Sequence, residues 1–170
     1  MILKPIPGFP GYFAGDDGKI RKDKVVLKGY PQKKGGHLRV WVKKPQWQNA
    51  HCRFVHRLVA AAFQIPNPNP RVLKLVDHID QNELNNIPSN LRRLNVQLNS
   101  LNNSALGCSF DKRKRKWNAR VRVSGYLHRL GYYKTFLEAY RVSKTFRQAA
   151  FDRIYKELHD SPETRTNRFV

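Results

Sequence analysis

The spacing of apolar residues changes period along this chain, which excludes both an all-helical bundle and one uninterrupted sheet. From His37 to Lys43 the residues alternate, with Leu38, Val40 and Val42 on one face and Arg39, Trp41 and Lys43 on the other, so a half-buried strand is predicted. From Val55 the period lengthens. Val55, Leu58, Val59, Ala62 and Phe63 fall at i, i+3, i+4, i+7 and i+8, one apolar stripe of a helix that Pro66 ends, with His56 and Arg57 outside the stripe. At Trp117 the alternation returns, Trp117, Ala119, Val121 and Val123 opposing Asn118, Arg120, Arg122 and Ser124. The fold class is therefore α+β, assembled from small modules.

The segments between these follow from their turn residues. Pro5, Pro7, Gly8, Pro10, Gly11, Gly15, Gly18 and Gly29 divide residues 5–30 into turns and short strands, a small β-meander. Pro66, Pro68 and Pro70 make an extended connector to a short buried strand over residues 72–76. Asn95 is placed to cap a short helix from Val96 that turns Leu98 and Leu101 inward. Ser124-Gly125 leads into a second strand, Tyr126 to Tyr133, and Thr135 with Glu138 forms a capping box for a helix whose stripe is Ala139, Val142, Phe146 and Ala149. Residues 157–170 read as a flexible tail.

Charge narrows the partners. Lys and Arg number 33 against 12 Asp and Glu, a formal charge of +21. Residues 1–50 carry a net +8, residues 51–106 a net +3, residues 107–156 a net +11 and the tail −1, so two basic flanks surround a centre whose acids are Asp77, Asp80 and Glu83. Such an excess favours nucleic acid through counterion release. An anionic membrane surface fits less well, because the long helical pattern lacks a clean basic face opposite a broad apolar one. No apolar run approaches the ~20 residues of a membrane span, and the N-terminal residues lack the apolar core of a signal peptide. A cytoplasmic, intracellular protein is expected. Cys52 and Cys108 stand 56 positions apart, which supports neither a disulfide framework nor a zinc ribbon. His51, Cys52 and His56 are read as structural or surface residues, and Cys108 as a small core residue.

The densest chemistry lies in Asp77-His78-Ile79-Asp80-Gln81-Asn82, followed by Asn85-Asn86, Ser89-Asn90-Leu91-Arg92 and Asn99. A carboxylate and an amide oxygen suit a hard divalent ion, and an imidazole titrating near neutral pH suits proton removal from water. With Val55-His56-Arg57-Leu58-Val59-Ala60 ahead of it, this stretch resembles the HNH nucleases, in particular homing endonucleases of phages and introns, over about residues 54–103. The resemblance implies a ββα-metal core in which His78 is the general base, Asn90 orients its imidazole, and Asp77 and Asn99 hold Mg²⁺ (or Mn²⁺) against the scissile phosphate. The sequence departs from the family pattern at Gln81, often Gly, and at Arg93 and Asn95, where an aromatic residue and Thr are common. Adjacent strand residues face opposite sides, so Asp77 and His78 share a site only where the strand ends, twists or bulges.

Gly107-Cys108-Ser109-Phe110-Asp111-Lys112, Lys116-Trp117-Asn118-Ala119-Arg120-Val121, Leu130-Gly131-Tyr132-Tyr133-Lys134-Thr135 and Glu138-Ala139 resemble the AP2-type DNA-binding domain over about residues 106–153. That likeness implies a three-stranded sheet backed by one helix, with Arg120, Arg122 and Arg129 facing double-stranded DNA and Arg113, Arg115 and Trp117 as further contacts. The alternation over 117–124 independently sets Arg120 and Arg122 on one face. Residues 5–21 look like the short module that often precedes HNH homing nucleases.

The expected order is an N-terminal β module (1–50), an HNH core (51–105), an AP2-like domain (106–156) and the tail (157–170). The expected activity is site-recognising, metal-dependent DNA hydrolysis by a monomer that nicks one strand in a phage-infected host, leaving a 5′-phosphate and a 3′-hydroxyl. The alternative is a non-catalytic AP2-type regulator with a degenerate HNH core, and behind it an RNA-binding protein; intact Asp77, His78, Asn90 and Asn99 argue against degeneracy.

Overall fold

The computed structural model describes residues 1–32, 36–102 and 105–160. These form two packed units, residues 1–67 with 74–93, and residues 68–73 with the chain from Leu94 onward.

The first unit begins with an antiparallel meander, β1 (Leu3–Pro5), β2 (Tyr12–Gly15), β3 (Ile20–Lys22) and β4 (Val25–Val26), hydrogen-bonded in that order. Its strands are short because Pro7, Gly8, Pro10 and Gly11 turn the chain after β1, Gly18 after β2, and Asp23, left-handed at φ 54°, after β3. A second antiparallel sheet follows, β5 (Tyr30–Pro31), β6 (Leu38–Val42) and β7 (His51–Phe54), and β7 runs directly into α1 (Val55–Ala62). The alternation predicted for β6 is present, with Val40 and Val42 buried and Trp41 exposed. The stripe of α1 packs with both sheets: Leu58, Val59 and Ala62 share one core with Ile6, Phe9, Tyr12, Ala14, Ile20, Val40 and Val42. His56 is buried as well, although it lies off that stripe. The unit is completed by a two-stranded hairpin, β8 (Leu75–His78) and β9 (Leu91–Leu94), whose connecting loop ends in a 3₁₀ turn at Pro88–Asn90.

The second unit contains α2 (Val96–Leu101), an antiparallel sheet of β10 (Cys108–Asp111), β11 (Lys116–Val123) and β12 (Tyr126–Tyr133), and α3 (Phe136–Asp160). Asn95 caps α2 as predicted, its Oδ1 accepting from the Leu98 amide at 2.8 Å. Thr135 and Glu138 exchange the two bonds of the capping box at 3.0 and 3.2 Å. Leu73, Leu94, Leu98 and Leu101 pack with Val121 and Val123 of β11 and with Ala150, Phe151 and Ile154 of α3. Burying each of these leucines contributes about 1.5–3 kcal/mol.

Two sequence-based expectations are corrected. The strand expected over 72–76 runs instead from Leu75 through His78, because Leu73 belongs to the core of the second unit. The buried face of α3 is Ala139, Ser143, Ala150, Phe151 and Ile154; Ala149 is exposed, since a helix of 25 residues carries its stripe around the axis. β6 pairs with β7 across position 50/51, and the leucines of α2 pack on the sheet and helix that follow position 105/106. Residues 157–160 continue α3, and the rest of the expected tail lies outside the described residues.

Candidate active site and nucleic-acid interface

Most of the residues singled out in the sequence as the densest chemistry lie at the end of β8 and in the loop that follows it. Strand β8 extends through Asp77 and His78, both buried, and their side chains meet different partners. Asp77 Oδ2 accepts from Arg92 Nε on β9 at 3.0 Å. His78 Nε2 lies 3.2 Å from Asn86 Oδ1. The amide of Asn86 is oriented by its own bond, Nδ2 donating to the Leu84 carbonyl at 3.0 Å. Its oxygen therefore faces the ring, and Nε2 is the nitrogen placed to donate to it.

Asn90 closes the loop. Its Nδ2 donates to Asp80 Oδ1 and to the Asn85 carbonyl, both at 2.8 Å, while its Oδ1 accepts from the Asp80 amide at 3.1 Å. The Asn90 carbonyl also accepts from the Ile79 amide at 2.9 Å. Asp80 is held below the usual carboxylate range by bonds from Asn85, Asn82 and Asn90. The resemblance assigned Asn90 to the His78 ring. In the structure its amide fastens the loop that follows His78, and the amide beside the ring comes from Asn86, to which the resemblance gave no role of its own.

Two further histidines surround His78. His37, just before β6, stacks on it with ring centroids 5.5 Å apart, and His56 of α1 meets it edge-on at 5.2 Å. Burial pushes the His56 imidazole down to about 3, with His37, His78 and Arg57 acting in the same direction. Burial also lowers His37, opposed by Glu83. The packing of α1 against the sheet brings these rings together from distant parts of the sequence, which is why local pattern gave no sign of them. His51 and Cys52 lie on β7, outside this group.

Asp77 belongs to the first unit and Asn99, on α2, to the second. The carboxylate of Asp77 is of the ligand class that suits a hard divalent ion.

In the second unit β11 presents Arg120 and Arg122 to solvent while Ala119, Val121 and Val123 are buried, as the alternation required. Arg129 stands directly opposite Arg120 across the β11–β12 pair. Like charges facing each other across strands are destabilising unless an anion lies between them. Arg120 and Arg122 also line an open groove of about 770 Å³ with Gln97, Ser100 and Arg147. Arg113 and Arg115 sit in the β10–β11 turn, where Asp111 Oδ1 accepts from the Arg113 and Lys114 amides at 3.0 and 3.1 Å. Trp117 stands apart from the arginines, its ring against Phe110 and Phe136 at 5.4 and 5.1 Å.

Among the described residues no helix is long and apolar enough to cross a membrane. No protein-family profile matches the chain. A curated relative, an uncharacterized HNH endonuclease of Acanthamoeba polyphaga mimivirus, is 33% identical over 90 residues, which are 51% of this chain and 21% of the relative. The chain thus spans about a fifth of that relative's length. Among solved structures, one describing DNA binding and cleavage by the HNH homing endonuclease I-HmuI matches at 30% identity and a TM-score of 0.49, over 58% of this chain and 55% of that one. Over about half of its length the chain is similar in sequence to an HNH endonuclease.

Proposed function

We propose that the chain is a divalent-metal-dependent DNA endonuclease of the HNH homing type, in which His78 is the general base and the basic sheet of the second unit binds the duplex. The observation that carries this reading is the imidazole of His78, anchored by Asn86, and the buried carboxylate of the preceding Asp77, at the end of β8 before a loop fastened by Asn90. With Nε2 donating to Asn86, His78 takes a proton from water at Nδ1 and directs the oxygen at phosphorus. Asp77 would offer its carboxylate to Mg²⁺ or Mn²⁺, which when bound supplies charge stabilisation at the scissile phosphate. Until a cation arrives, Arg92 neutralises Asp77 and keeps its carboxylate oriented. Asn90 keeps the loop rigid, so that the base stays aimed.

The AP2-like reading of residues 106–156 is supported by the three-stranded sheet backed by α3 and by the uncompensated pairing of Arg120 with Arg129. On this reading Arg120, Arg122 and Arg129 approach base edges and phosphates of double-stranded DNA, while Arg113 and Arg115 reach the backbone from their turn. One base per chain fits a monomer that nicks one strand. Incubating supercoiled plasmid with the protein in Mg²⁺, and in a chelator, tests the proposal: conversion to open circles in Mg²⁺ alone supports it, and equal plasmid integrity in both refutes it.

A further inference from the structure

The two imidazoles packed around His78, those of His37 and His56, add a donor class that the proposed chemistry does not need. His37, His56 and His78 each offer one ring nitrogen, and these atoms all lie within 4.8 Å of one another. His56 Nδ1 and His37 Nδ1 are buried and have no hydrogen-bond partner, which is costly for a nitrogen lone pair or N–H removed from water. His56 itself is only 4% exposed. The other nitrogen of His37, Nε2, faces Glu83 Oε1 at 3.7 Å. A carboxylate on the far side of the ring is the usual outer neighbour of a metal-bound histidine, and it leaves Nδ1 as the ligand nitrogen.

From this geometry we infer a second metal site, formed by His37, His56 and His78, that takes a borderline transition ion of the Zn²⁺ type and is distinct from the oxygen site of Asp77. Imidazole nitrogens prefer such ions, whereas carboxylate and amide oxygens prefer Mg²⁺. A tetrahedral ion with bonds of about 2.1 Å sets its nitrogens roughly 3.4 Å apart, so side-chain rotation closing the rings by about 1.4 Å or less completes three ligands and leaves a fourth position to water. Filling the site engages His78. On the functional reading above, bound Zn²⁺ then removes the general base, and the site is inhibitory.

The experiment titrates the metal-free full chain with Co²⁺ in excess Mg²⁺ and follows visible absorption. The expected result is one equivalent bound, with the intense band of a four-coordinate ion, displaced by Zn²⁺. His37→Gln, at the more exposed of the three positions, should weaken Co²⁺ binding by about 10–100-fold, as should His56→Ala where circular dichroism shows it folded. Asp77→Asn should leave the titration unchanged. No band, or an unaltered titration of folded His37→Gln, overturns the site. In parallel, micromolar Zn²⁺ should suppress Mg²⁺-dependent nicking by wild type and suppress it much less in His37→Gln. Co²⁺ binding without any effect of Zn²⁺ on nicking would instead overturn the role of His78 and leave the site standing, while nicking without a Co²⁺ band removes the site alone.

Discussion

Gly18 lies so close to Asn86 that a β-carbon at Gly18 would stand 2.5 Å from the Asn86 carbonyl carbon and 2.8 Å from its oxygen. The turn between β2 and β3 therefore braces the residue that holds the His78 ring, and only glycine fits there, since the backbone is also left-handed at φ +73°. Gly18→Ala should displace the Asn86 backbone, lower nicking by about tenfold or more and leave DNA affinity within a few-fold, because the arginine face is in the other unit. Parallel cleavage and gel-shift assays check this. Unchanged nicking by a folded Gly18→Ala would separate Asn86 from the chemistry.

Asn86 and Asn90 should fail differently. Asn90→Ala removes three loop bonds, so a loss of about 2–3 kcal/mol of stability is expected, seen as a lower urea midpoint. Asn86→Ala removes the partner of the His78 ring, so it should cost less stability and shift the pH dependence of nicking. Urea melts and pH–rate profiles of both variants test the division.

Asp17 and Arg21 predict an acid sensitivity of the same turn. Arg21, with its side chain 7% exposed, is bonded by both Asp17 oxygens at 2.9 and 2.6 Å, which lowers Asp17 to about 2. The folded value is depressed, so the pair contributes its full stability above the unfolded carboxylate value near 4 and loses it as pH falls toward about 2. Asp17 is partly exposed, and after discounting for solvent screening the contribution is about 2 kcal/mol. Asp17→Asn should flatten that part of the stability–pH curve; a curve parallel to wild type between pH 4 and about 2 would count against the pair.

Facing Arg120 and Arg129 carry a prediction with two signs. Arg120→Ala relieves like-charge repulsion in the free protein, so its melting temperature should stay level or rise. DNA affinity should fall, with log K against log salt flattening by about 0.9 if Arg120 neutralises one phosphate, or with about 1–3 kcal/mol lost at particular base pairs if it reads guanine. Salt titrations on matched and mismatched duplexes distinguish these. A lower melting temperature with unchanged affinity would make Arg120 a structural residue.

Elements set by local period were legible before the structure: β6, α1 and β11 each follow from apolar spacing, and the caps of α2 and α3 from Asn95, Thr135 and Glu138. What escaped depends on tertiary contact. His56 lies off the apolar stripe of α1 and looked exposed, yet the strand carrying His78 and the segment holding His37 cover it. The apolar run at 72–76 read as one strand because sequence does not show that Leu73 and Leu75 serve different units. Gln81 sits in a left-handed conformation at φ 63°, which explains why glycine is common there in the family it resembles. The division of work between Asn86 and Asn90 could not be read from spacing, since both are asparagines on one loop and only their partners differ.

The most direct test of the account is single-turnover nicking of supercoiled plasmid by wild type, His78→Ala and Asp77→Asn across a Mg²⁺ titration, with DNA affinity measured on the same preparations. Asp77→Asn keeps a polar partner for Arg92, so both variants should remain folded and bind DNA within a few-fold of wild type. His78→Ala should nick about 10²–10⁴-fold more slowly at every Mg²⁺ concentration, and Asp77→Asn should need more Mg²⁺ and remain slow. Nicking by His78→Ala within a few-fold of wild type would contradict the assignment of His78 as the base.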